Sequence, residues 1–359
     1  MTDDAYIDAP RDVREGEDLD VERLTEFLVA EIDGLEPPLT VRQFPSGYSN
    51  LTYFLASADG RQFVLRRPPF GAQVESGHDM QREYRILSHL HPVFDRAPTP
   101  FLYTEDDDVI GAPFYVMERV RGVILRGADP GFEIDEDTMG GICRSLVDTL
   151  VDIHAVDLAE AGLDDFGRPE GYVERQVTGW SRRWKKAKTD EVATIDRAAA
   201  WLADNMPAES GAALIHNDFK YDNVVLDPDD LTNVRAVLDW EMATVGDPLM
   251  DLGTSLAYWV EADDDPILQT VAGPTGLPGN LTRAEVVEYY AEQSGRDLAD
   301  VLFYYVYGCF KVAVIGQQIY YRFVQGHTRD PRFAGLIHLI RAIGKEVDRA
   351  LEQGTISSR

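Results

Sequence analysis

Residues 216–223 read His-Asn-Asp-Phe-Lys-Tyr-Asp-Asn, and Asp239-Trp240-Glu241 follows a short apolar run. The spacing H-x-D-x-x-x-x-N sets the Asp218 carboxylate and the Asn223 amide on one short loop. The carboxylate can accept a hydroxyl proton, and the amide oxygen can hold Mg²⁺. Val234, Ala236, Val237 and Leu238 make a strand whose end presents Asp239 to the same metal. Phosphoryl transfer asks little covalent help of a protein. It needs metal ions, positioned oxygens and an aligned nucleophile, and these residue types supply all three. His, Asp and Asn also meet by chance in polar turns, and Asp or Asn caps helices. The eight-residue match therefore takes its weight from the parts that accompany it upstream.

Those parts need elements to hold them. Residues 1–18 are charged and expected to be mobile. Val21, Leu24, Leu28 and Ile32 recur at helical spacing. Short β-like runs follow at 40–45, 51–57 and 61–67, then a helix over 76–91 and strands at 101–104 and 113–119. From about 136 the pattern turns mostly helical, interrupted by a hairpin region at 214–240. The expected division is a small β-rich lobe over 19–120 and a larger helical lobe over 121–359, an α+β architecture.

Between the first two strands, Phe44-Pro45-Ser46-Gly47-Tyr48-Ser49-Asn50 forms a tight turn. Ser46, Gly47, Ser49 and Asn50 can fold over nucleotide phosphates and offer backbone N–H groups, although Ser-Gly turns often only turn. On 63–67 side chains alternate, so Phe63, Leu65 and Arg67 share one face and Val64 and Arg66 the other. In kinases the corresponding strand carries V-A-I-K, a small residue over adenine and then a phosphate-gripping lysine. Val64 and Arg66 fall at those places. No lysine precedes Lys185, so Arg66 is the natural substitute, bidentate and always charged. On the next helix Met80, Glu83, Leu87 and Leu90 follow one stripe. A carboxylate inside it wants a partner, and Arg66 can supply one; Arg82 or His78 would serve if Glu83 lay at the surface. The strand Phe114–Arg119 leads into a hinge where the backbone at Glu118 and Val120 can meet an adenine edge. Only twelve positions separate Asp239 from Asp251, with no A-P-E sequence and no long activation segment, which argues for a small-molecule acceptor over a peptide. Asp251 reads as a helix cap or as a brace for the catalytic loop.

The net charge is −29, with 63 Asp and Glu against 34 Lys and Arg. Lys185, Lys186, Lys188, Lys220, Lys311 and Lys345 are the only lysines. The acidic excess is spread along the chain. This usage is similar to that of halophilic archaea, the alternative being a mesophilic acidic protein, and the summed field repels nucleic acid. No apolar run is long enough to span a membrane, and the acidic N-terminus has no leader pattern. Cys143 and Cys309 sit in apolar helix-like segments and read as buried free thiols of a reducing cytoplasm. A cytoplasmic protein without nucleic-acid or membrane partners is expected. Its oligomeric state is not legible.

Together these segments resemble the aminoglycoside phosphotransferase-like superfamily of small-molecule kinases. More narrowly, they resemble the kinase-like domain fused to, or encoded near, acyl-CoA dehydrogenases. The resemblance covers about 40–345 and is carried by Phe44–Asn50, Tyr115–Gly122, Gly162–Trp180, His216–Asn223 and Val237–Leu252. It implies a two-lobed protein-kinase-like fold, use of ATP and Mg²⁺, Asp218 as base, and Asn223 with Asp239 as metal ligands. Asn217 stands where glycine is usual. Lys220 differs from many antibiotic kinases, which turns the expectation away from antibiotic resistance. The expected activity is ATP-dependent phosphorylation of a small-molecule hydroxyl. Lys220 and Arg66 would neutralise the transferred group and His216 would brace or assist. A non-catalytic nucleotide-binding regulator is the alternative. Tyr304, Tyr305, Tyr307, Phe310 and Tyr320 are candidates for the substrate pocket, or for core. The cluster Arg182, Arg183, Lys185, Lys186 and Lys188 is a solvated helix end or an anchor for an anionic handle. The association with acyl-CoA dehydrogenases suggests a hydroxyacyl-CoA.

Overall fold

The computed structural model describes residues 6–45, 50–70, 79–269, 273–328 and 330–358. The N-terminal lobe is built on a five-stranded antiparallel sheet of order β1-β2-β3-β5-β4. Its strands are β1 (Thr40–Gln43), β2 (Leu51–Ala56), β3 (Gln62–Arg67), β4 (Pro100–Thr104) and β5 (Phe114–Glu118). Alternation along these strands divides the lobe into two apolar layers. Leu51, Tyr53, Leu55, Phe63, Leu65, Phe114 and Val116 face outward and are covered by Leu24, Leu28 and Ile32. Leu24 and Leu28 belong to α1 (Val21–Glu31), whose N-cap Asp20 accepts from the Arg23 N–H. Phe54, Val64, Tyr115 and Met117 face inward, toward α2 (Met80–Leu90) and the second lobe.

Of the segment 1–18, expected to be mobile, the described residues 6–18 make contacts with the body. Arg11 and Gln43 exchange both backbone hydrogen bonds, each 2.8 Å. The Asp8 carboxylate meets Arg126 Nη1 at 2.6 Å, and Tyr53 Oη donates to Glu17 O at 2.7 Å. Acidic composition suggested a free tail. These contacts form because the backbone finds the edge of β1 and the Asp8 carboxylate finds Arg126, which composition does not register.

The second lobe is helical around two small two-stranded sheets. Its helices include α4 (Glu136–His154), α5 (Tyr172–Ala187), α6 (Ala193–Asp204), α7 (Pro248–Ala257), the short α8 (Pro266–Gln269), α9 (Arg283–Ser294), α10 (Val301–Val324) and α11 (Leu336–Gln353), while the short α3 (Asp107–Ile110) belongs to the first lobe, between β4 and β5. Strand β6 (Ala213–Ile215) pairs with β9 (Thr244–Gly246), and β7 (Val224–Leu226) with β8 (Val234–Val237). Residues 303–311 of α10 are buried on every face, which fits a helix segment enclosed by others. Tyr304, Tyr305, Tyr307 and Phe310 are 0–2 % exposed there. They are core, not pocket wall; a helix packed on all sides leaves its aromatics no cleft to line. Tyr320 is half-buried against the same core. Cys143 and Cys309 are free and buried.

Candidate active site

The catalytic loop lies between β6 and β7, and its shape is imposed from below. Asp251, in the first turn of α7, is completely buried. Its two oxygens accept the backbone N–H groups of His216 and Asn217, both at 2.7 Å. His154 Nε2 adds a third contact at 3.2 Å, and its Nδ1 meets Tyr290 Oη at 2.7 Å. Burial alone would raise the Asp251 carboxyl; His154 and the His216 N–H more than offset that and hold it below its ordinary value. The cap of α7 is Asp247, which accepts from Leu249 N and Met250 N. Asp251 is therefore the loop's brace, the second of the two roles its position allowed.

Asn217 adopts a left-handed backbone with φ 67°. Glycine takes this conformation freely, and asparagine is among the few other residues that do so. That explains why asparagine can stand at a position where the resemblance expects glycine. His216 is fully buried, with Nε2 donating to Leu238 O at 2.9 Å and Nδ1 accepting the Asp218 N–H at 3.3 Å. Both ring nitrogens are engaged, so His216 positions the loop and does not reach a reacting group.

The Asp218 carboxylate protrudes into the cleft. Lys220 Nζ donates to its Oδ2 at 2.9 Å and Asn223 Nδ2 to the same oxygen at 3.1 Å. Burial pushes the Lys220 ammonium down, but Asp218 beside it more than reverses this and raises it overall. Tyr258 underlies the pair, its ring centroid 4.7 Å from Lys220 Nζ and its hydroxyl facing Asp218. A cavity of about 70 Å³ opens beside them, lined by Lys220, Asp222, Ser255, Tyr258 and Trp259 among others. Ser255 Oγ is buried there without a hydrogen-bond partner.

The β7–β8 register brings the second half of the site alongside. Val224 pairs with Val237, and Leu238 N donates to Asn223 O at 2.8 Å. Asn223 and Asp239 thus emerge at the same end of one hairpin. Asn223 turns its amide nitrogen to Asp218, at 2.8 Å from its carbonyl, which leaves its amide oxygen as the atom to offer a cation. Asp239 is the second left-handed non-glycine residue, φ 66°, and its side chain keeps 34 % of its surface open.

Arg66 reaches Asp239 from the sheet. Its Nη1 donates to Glu83 Oε1 at 2.5 Å, and both Nη atoms donate to Asp239 Oδ1 at 3.0 Å. Nη2 also meets Glu241 Oε2 at 3.3 Å, and Asn50 Nδ2 donates to that same oxygen at 2.8 Å. The Arg66–Glu83 pair anticipated from the helical stripe is formed, and Glu83 is 1 % exposed. One guanidinium is shared among three carboxylates. Burial lifts the Glu83 carboxyl to about 7 although Arg66 opposes it. Asp239 feels burial in the same sense, but Arg66 holds it below its ordinary value. Oxygen donors with an excess of negative charge suit Mg²⁺, which binds through one or two carboxylates and the substrate's phosphates. The donor chemistry of Asn223 and Asp239 fits that ion.

The remaining expected positions are less engaged. Val64 lies on the inner face of β3, opposite Met117 and Phe54. Glu118 ends β5, where its N–H already donates to Thr99 O at 2.7 Å and its carboxylate accepts from Thr99 Oγ1 at 2.8 Å. Val120, two residues on, is half-buried. Ser46, Gly47 and Ser49 lie outside the described residues. Arg67 is 2 % exposed on the opposite face, donating to Pro68 O and Ile110 O. Sequence reasoning gave no role to Glu241, Tyr258 or Lys311. Glu241 shares the Asp239-Trp240-Glu241 segment, and Lys311 is a cation in the apolar, buried first half of α10; both were signals.

This is a two-lobed kinase-like fold with a phosphotransferase-type cleft. Residues 40–288 match the phosphotransferase enzyme family, and the chain belongs to that family. It is 33 % identical over 326 residues to acyl-CoA dehydrogenase family member 11 of Gallus gallus, covering 89 % of this chain and 41 % of the relative. It is 36 % identical over 298 residues to acyl-CoA dehydrogenase family member 10 of Mus musculus, covering 81 % and 27 %. The chain thus spans less than half the length of these relatives. A solved structure from Ralstonia eutropha JMP134, described as a candidate aminoglycoside phosphotransferase, superimposes with TM-score 0.79 and 27 % identity, covering 94 % of this chain and 99 % of that one. No helix among the described residues is long and apolar enough to cross a membrane.

Proposed function

We propose that the protein transfers the γ-phosphoryl group of ATP to a hydroxyl of a small metabolite. The observation that carries this reading is the Asp218 carboxylate, held at the cleft by Lys220 and Asn223 beside a cavity. Asp218 aligns the acceptor hydroxyl and takes its proton as the oxygen bonds to the γ-phosphorus and the bond to the leaving ADP oxygen breaks. Lys220 holds the Asp218 carboxylate in place and offsets charge on the transferred group. Arg66 grips phosphate oxygens, with Glu83 fixing its direction. Asn223 and Asp239 would hold Mg²⁺, which neutralises phosphate charge when bound.

A finer reading takes the acceptor to be a hydroxyacyl-CoA. The names of the curated relatives, acyl-CoA dehydrogenase family members, favour it. So does α5, where Trp180 and Trp184 are buried while Arg182, Lys185 and Lys186 are exposed. Lys188 leaves this set, because it pairs with Glu191 at 3.0 Å and Asp196 at 2.9 Å. Phosphate groups of the coenzyme would meet the exposed cations.

The test is a metabolite-pool screen for Mg²⁺-dependent ATP consumption in high KCl, with Asp218→Asn as control. Loss of a general base should lower kcat on the order of 10²-fold or more while nucleotide binding persists. A fully active Asp218→Asn enzyme overturns the reading. For the finer one, hydroxyacyl-CoA is compared with the free hydroxy acid in wild type and in a Lys185→Gln, Lys186→Gln variant. An unchanged KM for the thioester removes the cluster from the site, and phosphorylation of neither compound removes the substrate class.

A further inference from the structure

Lys311 is a cation where none is needed for packing. It sits inside α10, one turn beyond Gly308, where α10 crosses α7 at Gly253. The crossing is too close for side chains. A Cβ on Gly308 would come within 1.9 Å of Gly253 O, and one on Gly253 within 2.1 Å of Tyr304 O. This contact sinks Lys311 to 1 % exposure. Its ammonium then has three acceptors: Asn217 O at 2.8 Å, Asn217 Oδ1 at 3.3 Å and Thr254 Oγ1 at 3.4 Å. Asn217 is the left-handed residue immediately before Asp218. Its N–H is already held by Asp251, and its Nδ2 donates to Met242 O at 3.1 Å.

We propose that Lys311 is a positioning residue for phosphoryl transfer: from behind the catalytic loop, its ammonium fixes Asn217 and so aims the Asp218 carboxylate into the cleft. The proposal rests on the phosphotransferase reading. A carbonyl, an amide oxygen and a hydroxyl converge on one point, and a compact ammonium with three donors satisfies all of them. Electrostatics set the conditions. Burial pushes Lys311 down to about 8; Asp251 on α7 and Asp218 in the loop oppose this, while Lys220 and Arg183 on α5 add to it. The folded-state value lies below the ordinary 10.5, so the charge destabilises the fold at pH below about 8. That cost is relieved as pH rises toward the unfolded value. A group retained for stability alone would act in the opposite sense.

Lys311→Met keeps most of the volume and removes the charge. At pH 7 its melting temperature should equal or exceed that of wild type. Its kcat should fall on the order of 10²-fold, as for a misaimed catalytic group, with the KM for Mg·ATP within about threefold. Wild-type kcat should decline as pH rises through about 8, and that limb should be missing in the variant. Hydrogen exchange of the 216–219 amides should accelerate in the variant, whatever the acceptor. Unchanged kcat and exchange overturn the proposal. So does a kcat loss accompanied by a lowered melting temperature, which marks a structural role. If wild type transfers phosphate to nothing, the proposed function fails, and the exchange measurement alone still decides whether Lys311 holds the loop.

Discussion

Replacing Arg66 with alanine should do two separable things. It removes the one cation shared by Glu83, Asp239 and Glu241, and on the proposed function it takes a phosphate-gripping group from the cleft. Breaking a buried pair by deleting one partner costs about 3–5 kcal/mol, a large part of the roughly 5–15 kcal/mol that holds a domain. The cost should depend on pH. Burial already lifts Glu83 to about 7 against the pull of Arg66, so without Arg66 it rises further. A raised carboxyl means that the folded state binds the extra proton, and stability falls as pH climbs through the interval between the unfolded and folded values. The variant therefore loses most at pH 8 and least at pH 6, with about 1.4 kcal/mol for each unit by which Glu83 moves. Urea unfolding of both proteins at those two pH values measures the gap. Arg67→Ala is the control, because Arg67 is also buried but, among the described residues, donates to Pro68 O and Ile110 O and stacks on Phe70, away from the three carboxylates. At a temperature where both variants are folded, Arg66→Ala should lose on the order of 10² in kcat/KM for Mg·ATP, and Arg67→Ala about threefold at most. A stability gap that ignores pH, or equal kinetic losses in the two variants, would refute the argument.

Asp251→Ala should unfold at markedly lower denaturant, since it orphans the buried amides of His216 and Asn217 and unpairs His154, each at about 1–3 kcal/mol. Urea titration reads this, and a loss below about 1 kcal/mol would show that water replaces the brace. The net charge of −29 predicts that the melting temperature climbs from dilute buffer to molar KCl as screening relieves surface repulsion. A salt-insensitive melting temperature in scanning calorimetry would remove that reading.

What the sequence determined here is what is local. The H-x-D-x-x-x-x-N spacing defines a loop whose members, His216, Asp218 and Asn223, lie within seven positions of one another. Strand alternation on 62–67 separates Arg66 from Arg67 because the side-chain period of a strand is two. Helical spacing placed Glu83 on a buried stripe, and a carboxylate there required a cation. These are short-range consequences of backbone geometry, so they survive without knowledge of the rest of the chain.

What only the tertiary structure decided involves distant partners. Asn50 reaches Glu241 across 191 positions, and Lys311 reaches Asn217 across 94. No local periodicity encodes such pairs. The aromatics of α10 look alike as pocket or core until the helices around them are in place. Residues 6–18 read as a free acidic tail until Gln43, Tyr53 and Arg126 are found beside them. Asp251 was legible as brace or cap, and the choice fell only when Asp247 was seen to cap α7 and the loop amides to need an acceptor. Residue types and spacing state which groups can do chemistry. Packing decides which of them are brought to one cleft, because burial sets both the direction in which a side chain points and the energy of its charge.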